Sequence, residues 1–292
     1  MRLLVSHFHN EQYLLPWWIR HHVGMFDTAI LINHRSTDNS CEIIRSLAPH
    51  WEIVETTSRN FDARSCDEEV MYHESRYDAE LKIVLNITEF LICDDIVTLE
   101  RMLGKRLQTQ AILSGALMVD HEPDRNPDRE GSLPAQKCHG VWETDIWYAF
   151  VPKRLGFLDH VARSRIAHCS PSGEYDVGRH RSKLRKKVKV DRSIAAIWWY
   201  GFAPFTEETV RRKMQIAGQI APDDLQVGFG RQHLSTRTQI KEQYEYLKKR
   251  SARLSLASMT SMESALASIR GFSNGVGKLE NYKRVAKSLL RR

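Results

Sequence analysis

Blocks of apolar residues alternate with amphipathic stretches along the first hundred positions. Short apolar runs, typical of buried strands, occur at 3–8, 28–33, 51–54 and 81–85, followed by Phe90-Leu91-Ile92. The stretches with helical spacing between them are 12–25, 39–47 and 65–77. Strands that alternate with helices form parallel pairs, because each helix carries the chain back to the edge where the next strand starts. The pattern predicts an α/β fold with a mostly parallel central sheet flanked by helices.

The pattern changes after the first hundred residues. Periodicity weakens over 93–150, and the segment 121–131 is so rich in helix breakers and charge that it predicts a mobile surface loop. Strand-like segments return at 163–168 and 194–200, and charged amphipathic helices are expected at 207–220, 236–256 and 279–290. We therefore expect one domain over 1–235, with halves at 1–95 and 96–235, and a basic helical extension over 236–292.

Polar residues follow the first two predicted strands at the point where each ends. The first strand is followed by His7-Phe8-His9-Asn10-Glu11, and the second by the polar run 33–40. The carboxyl ends of parallel strands share one edge of a sheet, which is the usual place for a nucleotide crevice. Within the run 33–40, Ser36 or Asp38 is a candidate cap for the second helix. The sequence predicts that the two turns meet and form a binding site.

Composition limits the class of protein. The 292 residues are 42% hydrophobic, which is ample for a core, and no apolar stretch reaches the roughly 20 residues that span a bilayer. The first residues lack the pattern of a secretory signal, so we expect a cytoplasmic protein. Five cysteines occur singly, without the spacing of a metal site, and we expect reduced thiols.

The net charge of +7 is uneven along the chain. Much of the excess lies in 179–189 and from Lys241 onward, which suits a nucleotide diphosphate, an anionic membrane surface or nucleic acid. The basic residues are not interleaved with stacking aromatics in a recognisable module, so we expect no nucleic-acid partner. The basic C-terminal helices can lie on anionic lipid, or can dock on the domain itself or on a second subunit.

Several strings in this order resemble the family-two-like glycosyltransferases of GT-A fold, close to the family ninety-two group. The resemblance spans about residues 3–250, and its strings are His7-Phe8-His9-Asn10-Glu11, Trp17-Trp18, His21-His22, Ser36-Thr37-Asp38, 85–91, 178–181, 200–204, 212–216 and 228–234. It implies a GT-A domain that transfers a sugar from a nucleotide-diphosphate sugar to a glycan or lipid-linked acceptor hydroxyl, usually with inversion. By the same resemblance, residues 1–95 are the nucleotide-binding half and 96–235 the acceptor half.

The resemblance also implies a set of nucleotide-sugar ligands. They are His9, Asn10, Glu11, Asn33, Asp38, Asn86, Thr88, Glu89, Arg179 and His180. Each of two of these residues also has a purely structural interpretation. Asp38 can be a helix cap, and Glu11 can be a first-turn residue that the helix dipole favours. Asn33 stands where many relatives carry aspartate, and an amide can still pair with a uracil-like edge.

A metal ion is expected to be unnecessary. Relatives with a metal carry Asp-x-Asp where this chain has Asn86 and Thr88, and neutral oxygens alone are poor ligands for Mg²⁺ or Mn²⁺. A metal would have to rely on Glu89, Asp94 or Asp95. Without one, Arg179 and His180 are the expected cations for the leaving diphosphate.

The candidate general base lies in the aromatic-acidic segment 141–147. Glu143 and Asp145 alternate there with tryptophans, and a carboxylate beside aromatic walls becomes more basic through desolvation. The segment also suits a sugar acceptor, although its tryptophans can equally be packing residues. A rival hypothesis is an inactive protein of the same fold that binds a nucleotide sugar or glycan.

Overall fold

The computed structural model describes residues 1–142, 164–227 and 229–254. The chain divides into two compact units, Met1–Arg253 and Leu254–Arg292, and the first is described below. Its strands are β1 Arg2–Phe8, β2 Thr28–Asn33, β3 Glu52–Glu55, β4 Leu81–Val84, β5 Glu89–Cys93, β6 Thr109–Leu113, β7 Gly115–Val119, β8 His139–Trp142, β9 Arg165–His168, β10 Lys186–Lys189, β11 Ala195–Phe202 and β12 Ala252–Arg253.

The helices lie between these strands. They are α1 Leu15–His22, α2 Ser40–Leu47, α3 Ala63–Ser75, α4 Ile96–Leu103, α5 Leu133–Gln136, α6 Glu207–Met214, α7 Pro222–Val227 and α8 Arg237–Lys248, with 3₁₀ turns at Ala217–Gln219 and Arg231–Leu234. Among the described residues, no helix combines the length and the apolar character needed to cross a membrane.

A seven-stranded sheet forms the centre of the unit, in the order β10-β6-β9-β4-β1-β2-β3. Every neighbouring pair is parallel except the two that β9 makes with β4 and β6. β1 therefore has β2 on one side and β4 on the other, both parallel to it. The predicted α/β class, with a mostly parallel central sheet and flanking helices, is confirmed.

A second sheet has five strands in the order β12-β8-β7-β11-β5. The apolar run Phe90-Leu91-Ile92, which the sequence pattern placed with the first four strands, belongs here as part of β5 and pairs antiparallel with β11. The turn after β4 redirects the chain, closed by a hydrogen bond of 2.8 Å from Glu89 N to the carbonyl of Asn86. Hydrophobic periodicity does not distinguish the two sheets.

Side chains alternate between the faces of the central sheet. Leu3 and Val5 of β1 and Ile30 and Ile32 of β2 pack with Val70 of α3, so α3 covers this face. Helix α1 packs against α2 and β5. The tryptophans of α1, Trp17 and Trp18, are buried.

Two of the three helices expected toward the C-terminus end earlier than predicted. The helix expected at 207–220 ends at Met214. A 3₁₀ turn follows, and Gln219 and Ala221 form backbone hydrogen bonds with Phe61. The helix expected at 236–256 ends at Lys248. Its buried face packs on β7 and β11 inside the first unit through Ile240, Tyr244 and Leu247. The helix expected at 279–290 lies outside the described residues.

The segment 121–131 consists of turns that contact α1. Trp17 donates its indole N–H to the carbonyl of Asp128 at 2.7 Å, and Arg20 binds the carboxylate of Glu130 at 2.7 Å.

On the far edge of the sheet, the lysines of β10 are mostly exposed. The edge strand β10 therefore presents a solvated basic face, and charged side chains also protect an edge strand from pairing with other chains.

Candidate functional site

The turn after β1 lies against the segment after β2, as the parallel pairing predicts. Asn10 Oδ1 accepts hydrogen bonds from the backbone of Thr37 at 2.7 Å and of Asp38 at 3.3 Å. In return, Asn10 N donates to Ser36 Oγ at 3.0 Å. Asn10 has a φ of +50°, a left-handed conformation that asparagine tolerates better than most residues. The expectation that these two turns meet is confirmed; we call 9–12 and 33–40 the paired turns.

Asp38 holds the paired turns together. Its Oδ2 accepts from the backbone of Gln12 at 3.1 Å, and its Oδ1 accepts from the backbone of Ser40 at 3.0 Å. The N-cap position of α2 is Asn39, which makes no side-chain cap bond, so neither Ser36 nor Asp38 is the N-cap residue. Both oxygens of Asp38 order backbone, one at the first residue of α2 and the other in the turn after β1, so its role here is structural although it is not the N-cap.

Glu11 forms an ion pair with Arg212 of α6. The guanidinium donates from Nε to Oε2 at 2.7 Å and from Nη2 to Oε1 at 3.2 Å, and Arg212 is buried. Gln215 adds a hydrogen bond of 2.9 Å to the carbonyl of His9. These contacts fix the turn after β1 to α6 and to the residues that follow it.

His9 and Asn33 complete the paired turns. The Nδ1 of His9 lies 2.7 Å from the carbonyl of His34, which assigns the ring proton to Nδ1. The Nδ2 of Asn33 donates to the Glu55 carboxylate at 2.8 Å, and its Oδ1 accepts from Ser36 N at 2.9 Å. The amide of Asn33 therefore has its partners within the protein.

A second group of polar residues lies after β4. Arg165 of β9 binds both oxygens of Glu89, at 2.8 and 2.6 Å, and both residues are buried. Asn86 N donates to Glu89 at 2.9 Å, and Asn86 Oδ1 accepts from Arg179 Nη2 at 3.0 Å. We name this group the arginine-acid cluster; it comprises Asp67, Asn86, Glu89, Arg165, Arg179 and His180.

The loop 178–180 turns inward through left-handed backbone. Gly178 has a φ of +88° and Arg179 a φ of +60°, and Gly178 N donates to Asp67 Oδ2 at 2.7 Å. Arg179 binds the other oxygen of Asp67. Burial alone lowers the pKa of Arg179, but the carboxylates of Asp67 and Glu89 outweigh it and raise the pKa overall, so the side chain stays charged.

His180 joins the cluster through Arg165. Arg165 Nη1 donates to the carbonyl of Gly178 and to Nδ1 of His180, both at 2.8 Å. Because Nδ1 accepts from a guanidinium, the ring proton of neutral His180 is assigned to Nε2. Two guanidiniums balance two carboxylates in the cluster, so its formal charge without His180 is zero.

The residues at the Asp-x-Asp position do not fit a magnesium or manganese ion. Both oxygens of Glu89 are bound by Arg165, and the amide oxygen of Asn86 is bound by Arg179. The carboxylate of Asp95 accepts from Val97 N and Thr98 Oγ1 at the start of α4. A hard divalent ion favours several free oxygen ligands, preferably carboxylates, whereas the side-chain oxygens of Asn86 and Glu89 are already bound by arginines.

The remaining predicted site positions are Thr88, Glu143 and Asp145. Thr88 is half-buried, and its carbonyl accepts from Tyr200 N at 2.7 Å, which ties the turn to β11. Glu143 and Asp145 lie outside the described residues. The tryptophan before them, Trp142, is buried at the end of β8, with the guanidinium of Arg192 4.4 Å from its ring centroid.

Sequence reasoning missed three residues that organise the site. Asp67, Arg165 and Arg212 each pair with a predicted residue that is distant in sequence. The only signal for Arg165 is a cation inside a strand-like segment, since a buried arginine requires a partner. Asp67 lies in a helix rich in charge, where nothing distinguishes it from a solvated residue. Arg212 begins the string 212–216 that carries the resemblance, but the sequence does not show that its partner is Glu11, 201 positions away.

Comparisons with known proteins give structural matches alone. No protein-family model and no curated protein matches the chain. The chain is similar to the crystal structure of S. aureus TarS residues 1–349, with 9% identity, a TM-score of 0.37 and coverage of 75% of this chain and 65% of that one. It is also similar to HddC from Yersinia pseudotuberculosis, with 12% identity, a TM-score of 0.35 and coverage of 73% and 97% respectively. The chain thus spans about two thirds of the TarS structure.

Proposed function

We propose that this protein is an inverting glycosyltransferase with a GT-A-type domain. It transfers a sugar from a nucleotide-diphosphate sugar to a hydroxyl of a glycan or lipid-linked acceptor, in surface polysaccharide synthesis. Residues 1–95 bind the donor and the later half of the domain binds the acceptor. The proposal rests on the sequence resemblance together with the arrangement at the carboxyl edge of the central sheet.

One observation carries the proposal. The paired turns and the arginine-acid cluster follow β1, β2 and β4, which are neighbours in the sheet, and β1 has a parallel strand on each side. In open α/β sheets, ligands bind outside the carboxyl ends of the strands, where the strand order reverses. The polar groups predicted from sequence stand at that place in this fold.

The paired turns are proposed to hold the nucleoside. Asp38 and Glu11 act mainly by positioning, since their oxygens order the backbone of one turn and anchor the other to Arg212. Arg35 and Thr37 are exposed at the rim and offer hydrogen-bond donors beside them. His9, Asn10 and Asn33 keep this surface in one conformation.

The leaving diphosphate is proposed to be stabilised by protein cations. The side-chain oxygens of Asn86 and Glu89 are already bound by arginines. This supports a reaction that needs no magnesium or manganese. Arg179 keeps its charge, and Nε2 of His180 can donate to a phosphate oxygen. The formal charges of the other members balance, so His180 would act here as a neutral hydrogen-bond donor.

The chemistry would be a single in-line displacement. Glu143 or Asp145 takes the proton of the acceptor hydroxyl, the acceptor oxygen attacks the anomeric carbon, and the bond to the diphosphate breaks. The basic C-terminal residues would bring the enzyme to anionic lipid if its acceptor is lipid-linked. Sedimentation with anionic vesicles, compared with neutral ones, tests that part.

Thermal stabilisation against UDP-, GDP- and dTDP-sugars, followed by donor hydrolysis, tests the proposed function. A shift specific to one nucleotide and its slow hydrolysis are expected. No shift with any donor would refute the proposal.

The arginines that bind Glu89 and Asn86 favour a second candidate function. In it, the protein is inactive and binds a nucleotide sugar or glycan. Arg165 and Arg179 occupy the oxygens that a metal-dependent transferase would use. Binding of a donor without turnover, with any acceptor and with added manganese, would favour this candidate over the enzyme.

A further inference from the structure

Three potential metal ligands from different elements meet on the face of the sheet that α3 covers. His7 belongs to β1, His34 follows β2, and Cys66 lies in the first turn of α3. One ligand atom from each, two ring nitrogens and the thiol sulfur, lie within 4.8 Å of one another. We call these three residues the His-Cys trio.

The fold brings the trio together for simple reasons. Side chains on a strand alternate between faces, so His7 follows Leu3 and Val5, and the extended chain places His34 after Ile30 and Ile32. Cys66 precedes Val70 by one helical turn, and Val70 packs on those same residues. The trio therefore continues the α3 side of the core to the carboxyl edge of the sheet.

The histidines of the trio lack hydrogen-bond partners. His34 is 1% exposed and His7 8%, and none of the four ring nitrogens has a partner among the described residues. The nearest carboxylate oxygen, Oε2 of Glu69, lies 3.4 Å from His7 Nε2, which is longer than a normal hydrogen bond. Buried polar groups without partners are rare and costly, so each of these rings requires an explanation.

Both histidines suit a metal rather than a charge-charge contact. Each buried imidazole offers a ring-nitrogen lone pair, and none of these nitrogens makes a hydrogen bond to the described residues. Phe61 packs edge-on against both rings, at centroid distances of 6.0 and 5.5 Å, and adds an apolar wall.

We propose that His7, His34 and Cys66 bind a zinc ion, with Glu69 or a water as the fourth ligand. Imidazole and thiolate are the ligands that zinc selects, whereas magnesium and manganese prefer oxygen. Glu69 is held by Thr56 Oγ1 at 2.7 Å and Thr57 N at 2.8 Å, which orients its carboxylate toward His7.

The distances are compatible with zinc. Atoms no more than 4.8 Å apart have a common point at most about 2.8 Å from each, and zinc lies about 2.0–2.1 Å from nitrogen and about 2.3 Å from thiolate sulfur. Ligation therefore requires shifts of less than about 1 Å, within the reach of side-chain rotation. Binding would release the thiol proton of Cys66 and leave a thiolate on the metal.

The ion would be structural and would join β1, the turn after β2 and α3. The carbonyl of His34 is the partner of His9, and Asp67, next to Cys66, binds Arg179. The site thus lies directly behind both parts of the proposed donor site. It does not rest on the proposed function, because it is argued from unpartnered ligands alone.

Metal content and cobalt spectroscopy on the full chain test the proposal. Protein purified without chelator should contain about one zinc per chain, and cobalt substituted for zinc should give a thiolate-to-cobalt absorption band and intense tetrahedral bands. Cys66→Ala should abolish the thiolate band and weaken zinc binding at least about tenfold.

Cys169→Ala is the matched control. Cys169 is also buried, and its thiol contacts the backbone carbonyls of Gly104 and Arg106, away from the trio. This variant should keep the cobalt band and the zinc affinity of the original chain. Absence of the band in the original chain, or its persistence in Cys66→Ala, would overturn the proposal. If Cys66→Ala does not fold, the spectrum of the original chain decides.

Discussion

Arg165 binds both carboxylate oxygens of Glu89 across 76 positions of sequence, and the two side chains are 4% and 8% exposed. This ion pair connects β9 of the central sheet to β5 of the second sheet. It also occupies the carboxylate that stands beside the Asp-x-Asp position. One contact therefore bears on both the stability of the fold and the chemistry of the proposed site.

Removing the charge of Glu89 should destabilise the fold strongly. Glu89→Gln leaves the Arg165 guanidinium buried without its counter-ion, and loss of one partner of such a pair costs about 3–5 kcal/mol. Urea unfolding at pH 7.5 measures the free energy. The matched control is Glu208→Gln, whose partner Arg211 lies on the exposed face of α6, and a change within about 0.5 kcal/mol is expected there. Equal effects of the two substitutions would contradict the buried role of Glu89.

Glu11 and Arg212 should act as one unit in donor binding. If Glu11 positions the turn through Arg212, then Glu11→Gln and Arg212→Gln weaken donor binding by similar factors, and the double variant is little worse than either. A coupling energy of about 0.5–3 kcal/mol is expected for such a contact. Calorimetric titration of the four proteins measures it. If Glu11 contacts the nucleotide directly, Glu11→Gln alone will show the larger loss and the two effects will add.

The stability of the fold should fall below pH 6.5 because of His22. Its Nδ1 lies 2.9 Å from the carbonyl of Trp18 and its Nε2 accepts from Leu91 N at 3.1 Å, so the folded ring is neutral. Burial lowers the pKa of His22 well below 6.5. Below pH 6.5 the imidazole of His22 is protonated in the unfolded chain but not in the folded chain. The unfolding free energy therefore falls by about 1.4 kcal/mol for each pH unit of acidification.

Urea unfolding at pH 7.5, 6.5 and 5.5 measures this dependence. Other buried histidines contribute as well, so the informative quantity is the difference between the original chain and His22→Gln. The variant should lose about 1.4 kcal/mol less per pH unit below pH 6.5, and show no such difference above it. Identical slopes would mean that His22 is not held neutral in the fold.

His180 is proposed to stabilise the leaving diphosphate, and its removal should affect turnover more than stability. His180→Ala should lower kcat about 100-fold, as expected for loss of one positioned hydrogen-bond donor. Arg181→Ala is the control, because that side chain is exposed beside it. Arg179 is a poorer test: it is buried against Asp67, so its replacement by alanine should disturb folding as well as turnover. Equal kcat in the His180 variant and the control would remove His180 from the mechanism.

The sequence predicted local elements and their order well. The run Thr28–Asn33 was predicted to be β2 with its observed bounds, and the meeting of Asn10 with Asp38 follows from parallel pairing. No sequence pattern indicated contacts between residues that are far apart in sequence. Examples are Arg165 with Glu89 and the trio of His7, His34 and Cys66. The helix predicted over 207–220 ends at Met214, and beyond it Gln219 and Ala221 form backbone hydrogen bonds with Phe61, which is distant in sequence. Hydrophobic periodicity indicates which face of a helix or strand is buried, but it does not indicate which element packs against that face.

The most direct test of the central claim is donor binding and turnover without magnesium or manganese. The chain would be titrated with UDP-, GDP- and dTDP-sugars in buffer stripped of both ions and supplied with one equivalent of zinc, so that the proposed structural site stays filled. We expect one nucleotide to bind and its sugar to be hydrolysed or transferred at the same rate when magnesium or manganese is added. Binding or turnover that appears only with the added ion would contradict the assignment of the leaving-group charge to protein cations, and no binding in either buffer would contradict the proposed function itself.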